Sequence, residues 1–383
     1  MSVWIDVVGQ VEVVDVLAEA VQHPDSMTHA WLFTGPPGSG RSVAARAFAA
    51  ALQCERGGCG QCQACHTTLA GTHADVTIVA PDGLSFGVKD TRELVRTGSR
   101  KASGGRWQIV IIEDADRLTD QACNALLKAI EEPTPRTVWM LCAPTIEDVL
   151  PTIRSRCRLL TLTTPSTPDV AAFLVRTDGV AEGLASYAAR ASQGHIGRAR
   201  ALARDEATRN RRHEVVTIPA RLTSLGACMN AASNLHEVTK EEADLITGEL
   251  DSKDKADLDT AYGVVERGRR PREYAPALSA MEKAQKTRAK RRHLDVVDRS
   301  LMDLVSVYRD AVSIAVGAPG ALVNEEIRPD VEKVVRAATP ELNLRRIGWV
   351  FDAREQMLEF NVPVPLALES MMLALKVPEG ADR

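Results

Sequence analysis

Aromatic residues make up only 4% of the 383 positions, and positive charge is not in excess: 47 Lys and Arg stand against 51 Asp and Glu, a net charge of -4. Single-strand binders stack bases on aromatic side chains, and sequence-independent duplex binders neutralise phosphates, so neither class fits the chain as a whole. No apolar run approaches the roughly 20 residues needed to span a bilayer. Met1 to Gln10 carry no basic segment followed by an apolar stretch, so no signal peptide is expected and the chain reads as cytoplasmic. A spread of pairable cysteines is missing too. Cys54, Cys59, Cys62 and Cys65 fall within twelve consecutive positions, while Cys123, Cys142, Cys157 and Cys228 stand singly in apolar surroundings. That distribution suggests one metal cluster and isolated buried thiols rather than a disulfide framework.

What is present is 45% apolar and 26% charged residues, ordinary for a globular chain and, at this length, enough for two or three cores. Residues 30–34, 75–79, 109–112 and 137–142 are apolar or β-branched runs bounded by turn residues, as buried parallel strands are. Between the last two runs a helix is expected, with Thr119 as its N-cap and Pro133 just past its end. Strand–helix alternation implies an α/β domain over residues 1–163, with a parallel sheet, helices on both faces and the cysteine module at 54–65. Past Thr164 the β-branched runs stop. Residues 164–206 read as short helices broken by Gly194 and Gly197, and 207–383 as an all-α domain. Its clearest mark is the stripe Leu294, Val297, Leu301, Leu304, Tyr308 and Val312, stopped by Gly317 and Pro319.

Three motifs carry chemistry. Gly35-Pro36-Pro37-Gly38-Ser39-Gly40-Arg41-Ser42 follows a strand and opens a helix, the context of a phosphate-binding loop, whose backbone N–H groups form an anion site. Arg41 stands where the motif has lysine, and a planar fork replaces a compact point charge, which weakens nucleotide binding and damages transition-state geometry more. Ser42 keeps the hydroxyl expected to ligate magnesium. The strand Ile109–Ile112 ends in Glu113-Asp114, the reverse of the usual order. One carboxylate is thus a methylene too long for the metal side and the other a methylene too short for activating water. Displacements of about 1 Å can cost on the order of a hundredfold in rate. The cysteines are spaced C-x4-C-x2-C-x2-C with Gly57, Gly58 and Gly60 for tight turns, which suits a closed tetrahedral Zn²⁺ site of structural type. His66 is not needed as a ligand.

Arg156, between Ser155 and Cys157, is a candidate arginine finger that acts in trans. A surface arginine in a salt bridge is the plain alternative, spacing alone does not choose between them, and Arg154 and Arg158 lie close by. The basic run Lys283 to Arg292 can touch a DNA backbone, but such runs are more often solvated helix faces.

Together these motifs resemble the AAA+ subunits of bacterial clamp loaders, specifically the delta-prime family of DNA polymerase III. The resemblance runs through Val8-Gly9-Gln10, residues 29–36 and the four-cysteine insertion. It is strongest at residues 124–133 (NALLKAIEEP) and at Ser155-Arg156-Cys157. It covers residues 1 to about 205; beyond them the likeness is one of helical character and length, with residues 366–369 the most suggestive patch. It implies an AAA+ domain, a helical lid and a helical collar in a five-membered ring with the delta and gamma/tau subunits, acting on a sliding clamp and primed DNA. It also implies that Arg156 serves a neighbour's ATP site while the chain itself hydrolyses little or nothing, whether or not ATP or ADP with Mg²⁺ occupies the altered loop. Where ATPase members carry a polar sensor this chain has Ala143-Pro144, and in Gly194-His195-Ile196-Gly197-Arg198 a glycine replaces a sensing arginine, with Arg198 one step late. The rival readings are an active gamma/tau-like ATPase subunit and a zinc-bearing DNA-binding module with a vestigial P-loop.

Overall fold

The computed structural model describes residues 2–23, 26–80, 86–104, 106–262, 271–272 and 274–376, so the last residues of the expected collar, 377–383, lie outside it. Two compact units divide the chain, Met1–Arg204 and Asp205–Arg383. In the first, β1 (Ala30–Thr34), β2 (Val76–Val79), β3 (Gln108–Ile112), β4 (Thr137–Ala143) and β5 (Arg158–Thr161) form one sheet in the order β2-β3-β4-β1-β5. Every pairing is parallel. The helices of this layer are α1 (Val11–Gln22), α2 (Arg41–Gln53), α3 (Gln63–Leu69), α4 (Val88–Gly98), α5 (Asp120–Glu131) and the single turn α6 (Pro151–Arg154).

Side-chain alternation explains why the strands are apolar throughout. Trp31, Phe33, Ile109, Ile111, Val138 and Met140 pack on one face of the sheet with Phe48 of α2 and Leu17 of α1. Ala30, Leu32, Val110, Ile112, Trp139 and Leu141 pack on the other with Leu126 and Ile130 of α5. A parallel sheet covered on both faces has no polar side to offer water. Thr119 caps α5 as expected, its Oγ1 accepting from Ala122 N at 3.3 Å. The fifth strand was not expected: β5 is four residues long, only Leu160 in it is buried, and it sits at the sheet edge, where apolar patterning is weakest.

Three helices complete the first unit: α7 (Thr167–Asp178), α8 (Glu182–Ser192) and α9 (Ile196–Arg204). They share a core of Val170, Phe173, Leu174, Ala185, Ala188, Ile196 and Leu202. Gly194 separates α8 from α9 in a left-handed conformation, whereas Gly197, expected as a breaker, lies inside the first turn of α9.

The second unit is all-helical. It comprises α10 (Glu206–Thr217), α11 (Leu225–Ala261), α12 (Tyr274–Ala315), α13 (Arg328–Ala337), α14 (Pro340–Leu358) and α15 (Val364–Leu375). The expected stripe from Leu294 to Tyr308 is its apolar spine, but α12 starts twenty residues before Leu294. Inside this unit Arg212 is almost fully enclosed, 3.3 Å from Asp303 and 2.7 Å from Glu326, and it donates to Asn324 Oδ1. Asp310 accepts from the backbone N–H groups of Val323 and Asn324 at 3.1 and 2.8 Å. Removing one partner of a buried ionic cluster leaves the others uncompensated, so Arg212→Ala should lower stability by about 3–5 kcal/mol. Urea unfolding followed by circular dichroism measures this, and a change no larger than that of an exposed Arg→Ala control would refute it.

Candidate functional site: an altered phosphate loop, a cysteine cluster and an exposed arginine

Because β1 is flanked by β4 and β5, the ends of three strands meet at the loop that follows it. Gly35 N donates to Pro144 O at 3.1 Å, and Leu162 N donates to Thr34 O at 2.7 Å. A Cβ on Gly35 would lie 2.4 Å from Leu162 O, and one on Gly38 would lie 2.6 Å from His195 Cα. The loop is therefore packed between the sheet and the α8–α9 turn, and Gly38 also holds φ of +84°, which favours glycine. Gln10, 5% exposed, ties the same region together: its Nε2 donates to Thr163 O at 2.6 Å and its Oε1 accepts from Thr163 N at 3.1 Å. Reading the residues one by one gave Gln10 no role; its signal was its place in Val8-Gly9-Gln10.

The loop keeps the glycine turn that a phosphate cradle needs, but its charged groups are engaged. Ser39 Oγ is buried with no hydrogen-bond partner, as expected of a cradle built to face an anion. Arg41, however, turns back and donates from Nη1 to Gly35 O within the loop itself. Glu113 is held by Arg46 Nε at 2.9 Å, so the carboxylate at the metal side already has a cation. Asp114 adopts a left-handed conformation with Arg117 3.7 Å away. Behind the loop, burial pushes the Cys142 thiol up to about 12; Glu113 adds to the rise, and Arg41 and the Ser42 hydroxyl oppose it. The residues fit a bound phosphate better than they fit magnesium-dependent hydrolysis. Pro36 is exposed at the tip and Gly40 gives α2 its left-handed N-cap. At the sensor positions, Ala143 and Pro144 offer no polar side chain, and Arg198 donates its backbone N–H to His195 Nδ1 at 3.2 Å.

The four clustered cysteines converge. Their Sγ atoms all lie within 4.8 Å of one another, and Cys54 and Cys62 are 3.7 Å apart. Zn–S bonds of about 2.3 Å place tetrahedral sulfurs about 3.8 Å apart, so the set matches a Zn²⁺ ion. Burial raises the Cys54 thiol, but the backbone N–H groups of Cys59, Gly58 and Arg56 outweigh it, and it falls to about 6. Arg56 Nη2 also reaches Cys59 Sγ at 3.1 Å. Cys65, fully buried, is pushed up to about 12 by desolvation. His66 is exposed beside the cluster.

Arg156 lies on the turn between α6 and β5 with its side chain 39% exposed. Nη1 donates to Thr152 O at 2.7 Å, and Nη2 pairs with Glu131 of α5 at 2.6 Å. Arg158, by contrast, donates to Ser26 O at 3.0 Å and lies over the Trp31 ring, a packing role. One arginine of the basic run is engaged across the two long helices. Arg288 on α12 bonds Asp251 at 2.7 Å and also Asp254 on α11, and Gln285 donates to Asp251 O, while Lys283, Lys286 and Lys290 are exposed.

A parallel sheet in this order with a glycine loop between β1 and α2 is the layout of a P-loop domain. Residues 9–166 match the family described as DNA polymerase III, delta subunit. The delta' subunit of Pseudomonas aeruginosa DNA polymerase III is 39% identical over 135 residues, 34% of this chain and 41% of that one. The Escherichia coli delta' subunit is 36% identical over 180 residues, 45% of this chain and 54% of its own length. A gamma/tau subunit of Mycobacterium tuberculosis is 36% identical over 156 residues, 39% of this chain and 27% of that one. The chain thus spans about half or less of the curated relatives it matches. Residues 9–166 are thus similar to DNA polymerase III subunits of both the delta-prime and the gamma/tau kind.

Two outcomes test the site. The purified chain should carry one zinc per molecule by atomic emission, and Cys65→Ser should abolish it; a metal-free chain whose melting is unmoved by chelators would contradict the assignment. Arg41→Lys, which removes the fork that caps Gly35 O, should tighten binding of an ATP analogue by on the order of tenfold, about 1.4 kcal/mol. Equal affinity by titration calorimetry would show that Arg41 does not limit the loop.

Proposed function

We propose that this chain is a delta-prime-like subunit of the DNA polymerase III clamp loader, one that supplies Arg156 in trans to the ATP site of a neighbouring ATPase subunit. The observation that carries the reading is a contrast within one unit. The chain's own loop cation bonds its own backbone and Arg46 holds a Glu113 that is largely covered, while Arg156, on the turn after α6, is held by Thr152 O and by a Glu131 pair exposed on both sides. An arginine delivered to a transferring phosphoryl group stabilises charge that a preceding ground state lacks, and such fingers are worth 10³–10⁵ in rate where they act. The ring would hold delta and gamma/tau subunits, with the helical second unit as its collar. It would act on a sliding clamp and primed DNA, and zinc would serve as a structural ion at the four cysteines.

The gamma/tau-like reading requires hydrolysis in cis, and the engagement of Arg41 and Glu113 together with the apolar sensor position speaks against it. A DNA-binding zinc module is opposed by the net charge of -4, and within the basic run Arg288 is already taken up by Asp251 and Asp254. No helix among the described residues is long and apolar enough to cross a membrane.

The test is ATP turnover. The isolated chain should be silent, and Arg156→Ala in a reconstituted loader with clamp and primed DNA should cut turnover by about tenfold or more at unchanged assembly. Hydrolysis by the isolated chain, or full turnover with Arg156→Ala, would overturn the reading.

A further inference from the structure

Helix α11 packs on α12 and α15, and that side carries its buried residues Cys228, Ala232 and Leu235. A second line on α11 is only partly covered. Ala227, Ala231, Asn234, Val238, Glu241 and Leu245 follow at steps of four, three, four, three and four. At 1.5 Å per residue the line runs about 27 Å along one side of the helix. None of the six is buried, and Leu245 is 68% exposed.

Over most of its length this line is one wall of an open groove of about 520 Å³, whose other wall is α10 and the turn after it, through Val215, Ile218 and Leu222. Arg211 of α10 reaches Glu242 of α11 at 3.5 Å across one end. Alternating steps of three and four are what a second helix needs to seat its side chains. The two alanines let a backbone approach closely, and a polar side chain such as Asn234 within the line fixes register. An enclosed pocket with convergent polar groups would suit a small molecule better; this groove is open along its side. Its charged lining is Glu214, Glu237 and Glu241 against Arg221, so the surface that faces an occupant is acidic.

We propose that this groove docks an amphipathic helix of another protein, one whose apolar stripe is flanked by Lys or Arg. Two model helices of about three heptads, long enough for the roughly 27 Å line, serve as probes, both with Leu at the a and d positions. One carries Lys at the flanking positions and the other Glu. Fluorescence anisotropy with the full chain should show the Leu/Lys helix binding at least about tenfold more tightly than the Leu/Glu helix. Asn234→Arg, at an exposed position, should remove that binding with circular dichroism unchanged, and Glu237→Lys with Glu241→Lys should reverse the preference. Equal binding of both helices, no binding of either, or binding indifferent to Asn234→Arg would overturn the proposal. So would concentration-dependent dimerisation of the chain that Asn234→Arg abolishes, because the occupant would then be a second copy.

Discussion

Strand β1 lies between β4 and β5, both parallel to it, and Trp31, Leu32 and Phe33 on it are completely buried. That pairing is the constraint on which the first unit depends, because it brings the exits of three strands to one point. The backbone after β1 must then pass between Pro144 and Leu162, and only glycine at position 35 leaves room for the Leu162 carbonyl. From there α2 starts with its N-terminus at the loop, and α5, packed under β3 and β4, brings Glu131 to Arg156. The glycine turn at the end of β1 and the exposed arginine are thus consequences of one sheet order.

The same frame explains how a site can keep its shape while its chemistry is reassigned. Backbone N–H groups and the helix N-terminus depend on the glycine turn, not on side chains. Arg41 and Glu113 therefore change the loop's electrostatics without disturbing the fold, and each has found a partner inside the unit: Gly35 O for Arg41, Arg46 for Glu113. Arg156 bonds its own chain too, but its pair with Glu131 is some 40% exposed on both sides. Exposed pairs contribute only about 0–1 kcal/mol, so a more strongly charged partner displaces Glu131 at little cost.

Much of this was legible in the sequence because it is local. The phosphate loop, the cysteine spacing, the Thr119 cap and the strands from Ala30 to Cys142 are each set by residues a few positions apart. What was hidden is long-range. Nothing near Glu113 announces Arg46, and nothing near Arg156 announces Glu131. The extended pairing of α11 with α12 was hidden for another reason. Its seam uses Asp251, Asp254, Gln285 and Arg288 in place of an apolar stripe, so hydrophobic periodicity gave no sign of where α12 begins.

The account's central claim is that Arg156 works at an ATP site the chain does not own. A photoreactive group on the γ-phosphate of an ATP analogue tests this most directly, in a reconstituted loader irradiated with clamp and primed DNA and mapped by mass spectrometry. The account predicts label on this chain in the peptide containing Ser155, Arg156 and Cys157, lost when the neighbouring subunit cannot bind ATP. Label confined to residues 35–42 of this chain, independent of its neighbour, would contradict it.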